Sequence, residues 1–299
     1  MSRSGRSLSV IGMVIVTASL FAADKHYEES FKLEPGGQLV MNVRVGNVHV
    51  QSWDRNEVSF EADVHGSERF VSDFNFDFDR SDARLEIKGD LPYRKWNWGF
   101  RTKVAITMRV PQHCHLDLKT SGGNIEVQDV RGQSNLHTSG GNLRLANLEG
   151  DLVAKTSGGD IRASGITGQT QLGTSGGNIY LEDLSGDIDA RTSGGNIDLL
   201  GVEGEIVAKT SGGNIEMRLV GPYKGVQAST SGGHIHCYVD GDLSANLNAR
   251  TSGGRVTVDF PITIRGKISN SKVQGTINGG GPPLELHSSG GNIKVLSAK

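Results

Sequence analysis

The chain has 299 residues, of which 42 are glycine and 7 are proline, and its formal net charge is −2 at pH 7. Glycine is about twice as frequent as in an average protein, but it does not recur at every third position, which excludes collagen, and aliphatic residues return at fixed offsets, which argues against disorder. The nearly balanced charge gives no electrostatic reason to expect nucleic acid as a partner.

Residues 1–23 have the pattern of a secretory signal peptide. Arg3 and Arg6 precede an apolar run that ends at Phe21, and Ala22-Ala23 offers small residues for cleavage. The residue three before the cleavage point is not small, and an uncleaved signal would be the one route by which this sequence reaches a membrane. We therefore expect an exported protein that is periplasmic, on the cell surface or secreted.

Residues 24–112 are predicted to form a β-rich N-terminal cap region. Alternation of apolar and polar residues predicts strands near 39–45, 47–53, 58–64, 74–78, 85–87 and 104–111. Within this region, the segment 93–101 interleaves Trp96 and Trp98 with basic residues. That composition suits contact with sugars or a lipid surface, and it equally suits a hairpin that covers the open end of a stacked fold. We favour the hairpin.

Residues 113–299 form a repeat array built on the tetrapeptide Thr-Ser-Gly-Gly. Its copies begin at Thr120, Thr138, Thr156, Thr174, Thr192, Thr210, Thr230 and Thr251, and Ser288-Ser289-Gly290-Gly291 is a variant. From Thr120 to Thr210 the interval between copies is constant, and it lengthens only slightly afterwards. A fixed period of this size indicates a solenoid, in which each repeat stacks on the previous one.

Apolar residues occupy five positions of a repeat: four and two residues before the Thr, and five, seven and ten residues after it. Spacing by two indicates a short strand with one buried face on each side of the tetrapeptide. Stacked coils can bury these columns, at about 1.5–3 kcal/mol for each large aliphatic side chain. The sequence thus predicts an all-β fold, a single-stranded parallel β-helix of 18-residue coils. The preference for right-handed crossovers favours a right-handed coil.

Two polar features of the repeat have structural interpretations. The Gly pair suits a corner, where the chain needs positive φ or close backbone approach. Asparagines at a shared offset predict a stacked ladder of side-chain amides, interrupted at Asp160, His234 and Arg255. These asparagines are Asn124, Asn142, Asn178, Asn196, Asn214 and Asn292.

After Thr251 the pattern loosens. Residues 269–273 resemble a degenerate coil, and Leu284 and Leu286 restore the strand of a last coil. We expect this last coil to form the uncapped end of the stack. An uncapped strand edge invites pairing with another chain, so end-to-end self-association is one possible assembly.

The sequence predicts no metal site and no cofactor. Cys114 and Cys237 lie six coils apart, about 29 Å at one strand spacing per coil, which exceeds disulfide reach, so both should be free thiols. The pairs His113/His115 and His234/His236 each place two imidazoles on one face, too few for zinc.

Several motifs resemble those of the bacterial "putative adhesin" family of β-strand-repeat proteins, a domain family of unknown function. The resemblance rests on Thr-Ser-Gly-Gly-Asn-Ile repeats with a preceding Gly-Asp-Leu or Gly-Asp-Ile, on Gly46-Asn47-Val48-His49-Val50 before Trp53-Asp54, and on Val110-Pro111. It covers nearly everything after the signal. It implies an exported β-helical protein of the bacterial envelope and brings no catalytic motif.

The candidate ligand surface combines a basic column with the aromatic segment. Stacking should align Lys155, Arg191, Lys209 and Arg250, each just before a Thr, where they could meet an anionic polymer. Trp96 and Trp98 complete the set. The leading hypothesis is a non-catalytic envelope protein, an adhesin or rigid scaffold that binds surface glycan or envelope protein.

Two alternatives remain open. A carbohydrate-active β-helix enzyme would need clustered carboxylates, whereas the acidic residues here are scattered, so three or more carboxylates converging in one groove would revive this alternative. A self-assembling structural element would use the strand edges at the ends of the stack.

Overall fold

The computed structural model of the chain describes residues 13–19, 22–81, 83–90, 102–259, 261–264 and 269–298. The N-terminal elements are β1 Met13–Ser19, β2 Ala22–Lys32, β3 Gly37–Val43, β4 Asn47–Trp53, β5 Glu57–Gly66, α1 Glu68–Asp73, β6 Asn75–Ser81, β7 Arg84–Asp90 and β8 Lys103–Pro111. The next strands are β9 Cys114–Thr120, β10 Ile125–Gln128, β11 Ser134–Thr138, β12 Leu143–Glu149, β13 Leu152–Lys155, β14 Ile161–Thr167, β15 Thr170–Gly173, β16 Ile179–Ser185, β17 Ile188–Arg191, β18 Ile197–Thr210, β19 Ile215–Thr230 and β20 Ile235–Val239. The last are β21 Ala245–Thr251, β22 Val256–Val258, β23 Ile262–Ile264, β24 Lys272–Ile277, β25 Pro283–Ser288 and β26 Ile293–Ser297.

The fold is all-β, as predicted, apart from the six-residue helix α1. That helix was not predicted because it is too short to show helical periodicity. Its local signal is Ser67, whose hydroxyl accepts a hydrogen bond from the backbone N–H of Phe70 and so caps the first turn. No helix among the described residues is both long and apolar enough to span a membrane.

The repeat strands pair in parallel in two columns. We call the column before each Thr-Ser-Gly-Gly corner the first-strand column and the column after it the second-strand column. In the first, Leu136 pairs with Ala154; in the second, Ile125 pairs with Leu143, which pairs with Ile161. Each of these partners lies one full repeat further along the chain. Equivalent residues of successive repeats therefore lie side by side, as the sequence period requires.

The predicted aliphatic positions form the buried core. Ile179, Leu181 and Leu184 are each at most 2% exposed, and the equivalent positions of the other repeats are similarly buried. Cys114 and Cys237 are buried free thiols, as predicted, and burial raises the pKa of each to about 12. They therefore behave as small hydrophobic residues rather than nucleophiles.

The Thr of each tetrapeptide joins two coils. The hydroxyl of Thr174 donates to the carbonyl oxygen of Gly159 in the previous coil at 2.8 Å and accepts from the backbone N–H of Gly177 in its own corner at 3.3 Å. Both groups are buried, so the hydroxyl satisfies two backbone groups that would otherwise lack partners. Ser288 makes the same two bonds, which explains why the variant repeat is tolerated.

Only the second glycine of the corner is required by packing. A Cβ on Gly177 would overlap the carbonyl oxygen of Gly159 in the neighbouring coil, whereas a Cβ on Gly176 would meet nothing closer than 3.7 Å. Neither residue has positive φ. Of the two explanations offered by the sequence, close backbone approach is therefore the one that applies.

The asparagine ladder is continuous where the sequence predicted breaks. Each rung is a hydrogen bond from a backbone N–H to the side-chain acceptor of the equivalent residue in the adjacent coil, not a bond between amide side chains. Asp160 accepts from the N–H of Asn178 at 2.9 Å, and His234 accepts from that of Asn292 at 2.8 Å. Asp160 and His234 thus continue the ladder, because a carboxylate or a neutral imidazole can also accept. Arg255 lies at the end of the ladder, where its backbone N–H donates to Asn292 Oδ1.

At the N-terminal end, the stack does not follow chain order. β3 pairs in parallel with both β7 and β9, and β4 pairs in parallel with both β8 and β10. Gly37–Trp53 therefore forms a coil between that of β7–β8 and the first Thr-Ser-Gly-Gly coil. The predicted boundary at residue 112 falls within one continuous set of strand pairings.

Beyond β7 and β8 the pairing becomes antiparallel and aromatic residues fill the end of the core. β5 pairs with β8, β2 with β5, β1 with β2, and β6 with β7, all antiparallel. Phe60 contacts Phe76 with ring centroids 4.9 Å apart, and Phe31 contacts Phe78 at the same separation. This aromatic cluster lies in the region predicted as a cap. The segment 93–101 that we also assigned to the cap lies outside the described residues.

The C-terminal end is also out of chain order, which corrects the predicted last coil. β25 lies between β19 and β21, and β26 lies between β20 and β22. The coil with Leu284 and Leu286 is therefore inside the stack. Residues 269–273, predicted as a degenerate coil, instead lead into β24, which runs antiparallel to β21 and also pairs with β23.

Candidate ligand-binding groove

A groove with a volume of about 820 Å³ crosses the outer face of the second-strand column. Its outward side chains lie six and eight residues after each Thr, alternating with the buried aliphatic positions, as a strand requires. The first row is Glu126, Arg144, Arg162, Tyr180, Asp198 and Glu216, and the second is Gln128, Ala146, Ser164, Glu182, Leu200, Arg218 and Tyr238. Because the strands are in register, these residues form two continuous lines across the coils.

The chain turns sharply just after the second row. Asp129, Asn147 and Asp183 have φ between 55° and 60°, and Gly165 and Gly201 have φ of 63° and 65° at the equivalent positions. Asx side chains and glycine are the residues that tolerate this left-handed conformation. The turn returns the chain to the core at the aliphatic position ten residues after the Thr, so it ends the outward rows in each of these coils.

Two arginines of the groove lie over tyrosine rings. The guanidinium of Arg162 is 4.6 Å from the ring centroid of Tyr180, and that of Arg218 is 6.0 Å from the ring centroid of Tyr238. Arg162 also forms an ion pair with Asp160 at 3.3 Å. Such contacts hold long side chains flat against the sheet. The groove therefore offers planar faces together with hydrogen-bond donors.

Two adjacent carboxylates line the groove beyond Tyr180. Asp198 and Glu216 occupy equivalent positions on adjacent parallel strands, about 5 Å apart at the usual strand spacing. Burial, assisted by the negative charge of Glu216, raises the pKa of Asp198. His236 follows in the same row, and burial together with the positive charge of Lys294 lowers its pKa. This part of the groove can thus accept hydrogen bonds, next to the donors of Arg218.

The predicted basic residues lie in one column on a different face. Lys155 pairs with Gly173, Gly173 with Arg191, and Arg191 with Lys209; Arg250 lies three coils further along, past Ser229 and His287. A depression of about 660 Å³ beside the column is lined by Lys155, Arg191 and Lys209.

The charge of this column is partly neutralised. Arg191 binds Asp189 through two hydrogen bonds of 2.6 and 2.8 Å, which raise the pKa of the arginine. Lys155, Lys209 and Arg250 form no ion pair within the described residues. Of the other two candidate residues, Trp96 and Trp98, the structure gives no placement, because they lie outside the described residues.

Sequence reasoning missed the groove although its signal was present. Aligning the repeats at six residues after the Thr gives Arg162, Tyr180, Asp198 and Glu216 in succession, a row with far more chemical variety than a solvated surface needs. The predicted ligand surface used the position before the Thr instead. The residue types at the outward positions do not by themselves indicate which of these positions line a groove.

Parallel coils, a buried aliphatic core and a polar outer groove define a repeat protein of stacked β-strands. The chain belongs to the Toastrack DUF4097 family, which it matches over residues 37–296. This match confirms the resemblance to a β-strand-repeat family of unknown function. No curated protein matches the chain.

Three solved bacterial structures are similar to this chain at low identity. A "putative adhesin" from Bacteroides fragilis is 14% identical with a TM-score of 0.44, over 91% of this chain and 97% of that one. A "putative lipid binding protein" from Parabacteroides distasonis is 11% identical with a TM-score of 0.34, over 92% and 97%. A "putative cell adhesion protein" from Clostridium sporogenes is 12% identical with a TM-score of 0.29, over 91% and 99%.

Proposed function

We propose that this protein is a non-catalytic, exported component of the bacterial cell envelope that binds an extended surface ligand, a glycan or a protein segment, along its groove. The observation that carries the proposal is the pairing of Arg162 with Tyr180 and of Arg218 with Tyr238 in one groove that crosses several coils. Aromatic faces with adjacent donors suit sugar rings and peptide planes. A groove perpendicular to the strands suits a ligand that is longer than one coil.

Rigidity supports a scaffold or adhesive role. The Thr–Gly bonds and the asparagine ladder repeat from coil to coil, so each coil is fixed to the next by hydrogen bonds that do not involve the side chains of the groove rows. Outward positions are then free to vary without loss of the fold. We further infer that the coils form a right-handed single-stranded parallel β-helix, which the parallel registers at one-repeat intervals support.

The export part of the proposal rests on residues 1–23. Cleavage after Ala23 would remove β1 and leave most of β2, which pairs with β5 over ten residues. The mature chain would keep nine of these ten pairs, from Asp24 to Lys32. N-terminal sequencing of the protein from a periplasmic or secreted fraction tests this, and an intact residue 1 on a cytoplasmic protein would contradict it.

A binding screen with two matched double variants tests the groove. Purified protein would be screened against glycans, cell-wall fragments and envelope proteins. For any ligand found, R162A/Y180A should weaken binding by about tenfold or more, because it removes one planar face and its donor. The control K155A/K209A also removes two large outward side chains, but from the basic column, and should change binding by less than about threefold.

A larger loss of binding in K155A/K209A than in R162A/Y180A would assign the ligand to the basic column predicted from the sequence. That result would refute binding in the groove. It would also favour an anionic glycan, because salt should then weaken the binding strongly.

A carbohydrate-cleaving activity is the second candidate, favoured by one observation. Burial raises the pKa of Asp198, which lies next to Glu216, and Glu182 lines the same groove on the strand adjacent to that of Asp198, so three carboxylates lie closer together than the sequence predicted. Paired carboxylates in different environments are the usual acid and nucleophile of glycosidases. We prefer binding because Asp198 and Glu216 lie in one row rather than on opposite sides of the groove. Release of reducing sugar that is abolished in D198N would overturn that preference.

Self-assembly is the third candidate, and it would use the two ends of the stack. These ends are the antiparallel strands near β6 and β1 and the group β22–β24, rather than the coil of Leu284. A monomer at high concentration in analytical ultracentrifugation would argue against this candidate.

A further inference from the structure

The outer face of the β2–β5 pair concentrates histidines and carboxylates. In the antiparallel register, Asp24 is opposite His65, His26 opposite Asp63, and Glu28 opposite Glu61. Opposite residues of an antiparallel pair project to the same side. The alternate residues Tyr27 and Phe60 are buried in the aromatic cluster, so these six side chains project outward.

Three of the six converge on one point. Ligand atoms of His26, Glu61 and Asp63 all lie within 4.8 Å of one another, and His26 Nδ1 is 2.8 Å from Asp63 Oδ1. Zinc binds imidazole nitrogen and carboxylate oxygen at about 2.0–2.2 Å, which separates tetrahedral ligands by roughly 3.4 Å. Small rotations of exposed side chains would therefore bring all three atoms to one ion.

The surroundings favour a cation. On the next strand, β8, Thr107 is opposite Glu61 and Ala105 is opposite Asp63, whereas the basic residues Lys103 and Arg109 are opposite His65 and Ser59. Glu61 forms no ion pair within the described part of the chain. Glu28, opposite Glu61, adds a further negative charge. A divalent ion would relieve repulsion among these groups.

We propose that His26, Glu61 and Asp63 form a binding site for a divalent transition-metal ion, with zinc as the best fit. An imidazole ligand disfavours calcium and magnesium, which take oxygen ligands, whereas zinc accepts both nitrogen and oxygen. Three protein ligands leave a fourth position for water or for a group from a partner molecule. This site lies on strands β2 and β5, apart from the groove residues, and the proposal is independent of the proposed function.

A second metal chelate would also use His26, so the experiment must distinguish it from the proposed site. If processing makes Asp24 the first residue, the α-amine, two backbone amides and His26 Nδ1 would offer four nitrogens, a square-planar set that suits copper or nickel. That chelate uses His26 without Glu61 or Asp63. Acetylation of the α-amine removes it and leaves the three-side-chain site intact.

Zinc titration of the acetylated protein, followed by calorimetry and by competition with a chromogenic chelator, tests the proposal. E61Q and D63N should each weaken zinc binding by about tenfold or more, since even residues that only support metal ligands cost 10–100-fold. The neighbouring pair supplies a matched control: His65 Nδ1 is 2.6 Å from Asp24 Oδ1, yet neither belongs to the three-residue cluster. H65Q and D24N should change the affinity by less than about threefold.

X-ray absorption of the zinc-loaded protein should show one imidazole and oxygen ligands. Circular dichroism would confirm that the variants fold. The proposal is overturned by absence of binding at millimolar zinc, by equal losses in the control pair, or by binding that survives the E61Q/D63N double variant.

Discussion

His234 accepts a hydrogen bond through Nδ1 from the backbone N–H of Asn292 at 2.8 Å, although the two residues belong to coils that are far apart in sequence. The N–H of His234 in turn donates to Asn214 Oδ1 at 2.8 Å. His234 therefore occupies the same rung that asparagine occupies in other coils. The bond requires Nδ1 to be unprotonated, which fixes the proton of the neutral ring on Nε2.

Substitution of His234 tests this rung. H234N should retain stability, because an asparagine at this offset already accepts the equivalent bond in the adjacent coil. H234L should cost about 0.5–1.5 kcal/mol, since the N–H of Asn292 loses its protein acceptor. Urea denaturation measures both variants, and equal stability of H234L and the unsubstituted protein would show that the rung contributes nothing.

Acid should weaken the region where β20, which carries His236, pairs with β26. Burial and the charge of Lys294 lower the pKa of His236, so the unfolded chain binds a proton more readily than the folded one. Stability should then fall as pH drops through about 6.5, the unperturbed histidine value.

Thermal unfolding between about pH 7.5 and 5 measures this effect, since that range spans the unperturbed histidine pKa. H236Q should show a shallower dependence on pH in that range. His26 acts in the opposite direction: its hydrogen bond to Asp63 raises its pKa, so its contribution is present in acid and is lost as pH rises through the folded-state pKa. In H26Q, the dependence of stability on pH should therefore change in the opposite direction to that in H236Q, which makes H26Q the control.

The corner threonines should be more important than their exposed neighbours. T174V keeps the shape but removes the bonds to Gly159 and Gly177, which should cost about 1–3 kcal/mol because both partners are buried. T174S should cost less than about 1 kcal/mol, the value of one buried methyl group, as Ser288 already suggests. S175A, at an exposed position, should change stability by less than about 0.5 kcal/mol. A T174V midpoint in urea equal to that of S175A would contradict this explanation.

Adjacent glycines should respond differently to the same substitution. G177A forces a methyl group into the carbonyl of Gly159, and we expect a loss of more than about 3 kcal/mol or failure to fold. G176A meets ordinary contact distances and should cost about 1 kcal/mol or less. Expression yield and melting temperature compare the two, and similar values would refute close approach as the reason for the glycine pair.

Substitution of the buried Ser134 should raise the stability of the protein. Ser134 is buried between Leu116 and Leu152 of adjacent coils, and its hydroxyl is the one buried side-chain polar atom in the described structure without a partner. S134A removes that unsatisfied group and should raise stability by about 1 kcal/mol. N135A, at the exposed position that follows, serves as the control. A lower melting temperature for S134A would mean that the hydroxyl has a partner.

Local pattern predicted the coil but not the order of coils. The strands of the repeats and the buried aliphatic positions follow from offsets that any single repeat displays. Gly37–Trp53 carries no Thr-Ser-Gly-Gly, and its partner strand β9 begins only at Cys114, so nothing local marks it as a coil. The breaks in the asparagine ladder were predicted wrongly for a different reason: each rung needs only a hydrogen-bond acceptor, which Asp160 and His234 also supply.

The sequence by itself determined that this is an all-β repeat protein, because a constant period and alternation by two are properties of every repeat. Only the tertiary structure decided which strands and which side chains are neighbours. It inserted Gly37–Trp53 and Pro283–Ser297 into the stack out of chain order, made the outer row of Tyr180 and Asp198 part of a groove, and joined His26 with Glu61 and Asp63. The physical reason is that strand edges pair with whatever complementary edge is available, at any sequence separation, whereas burial patterns are set within a few residues.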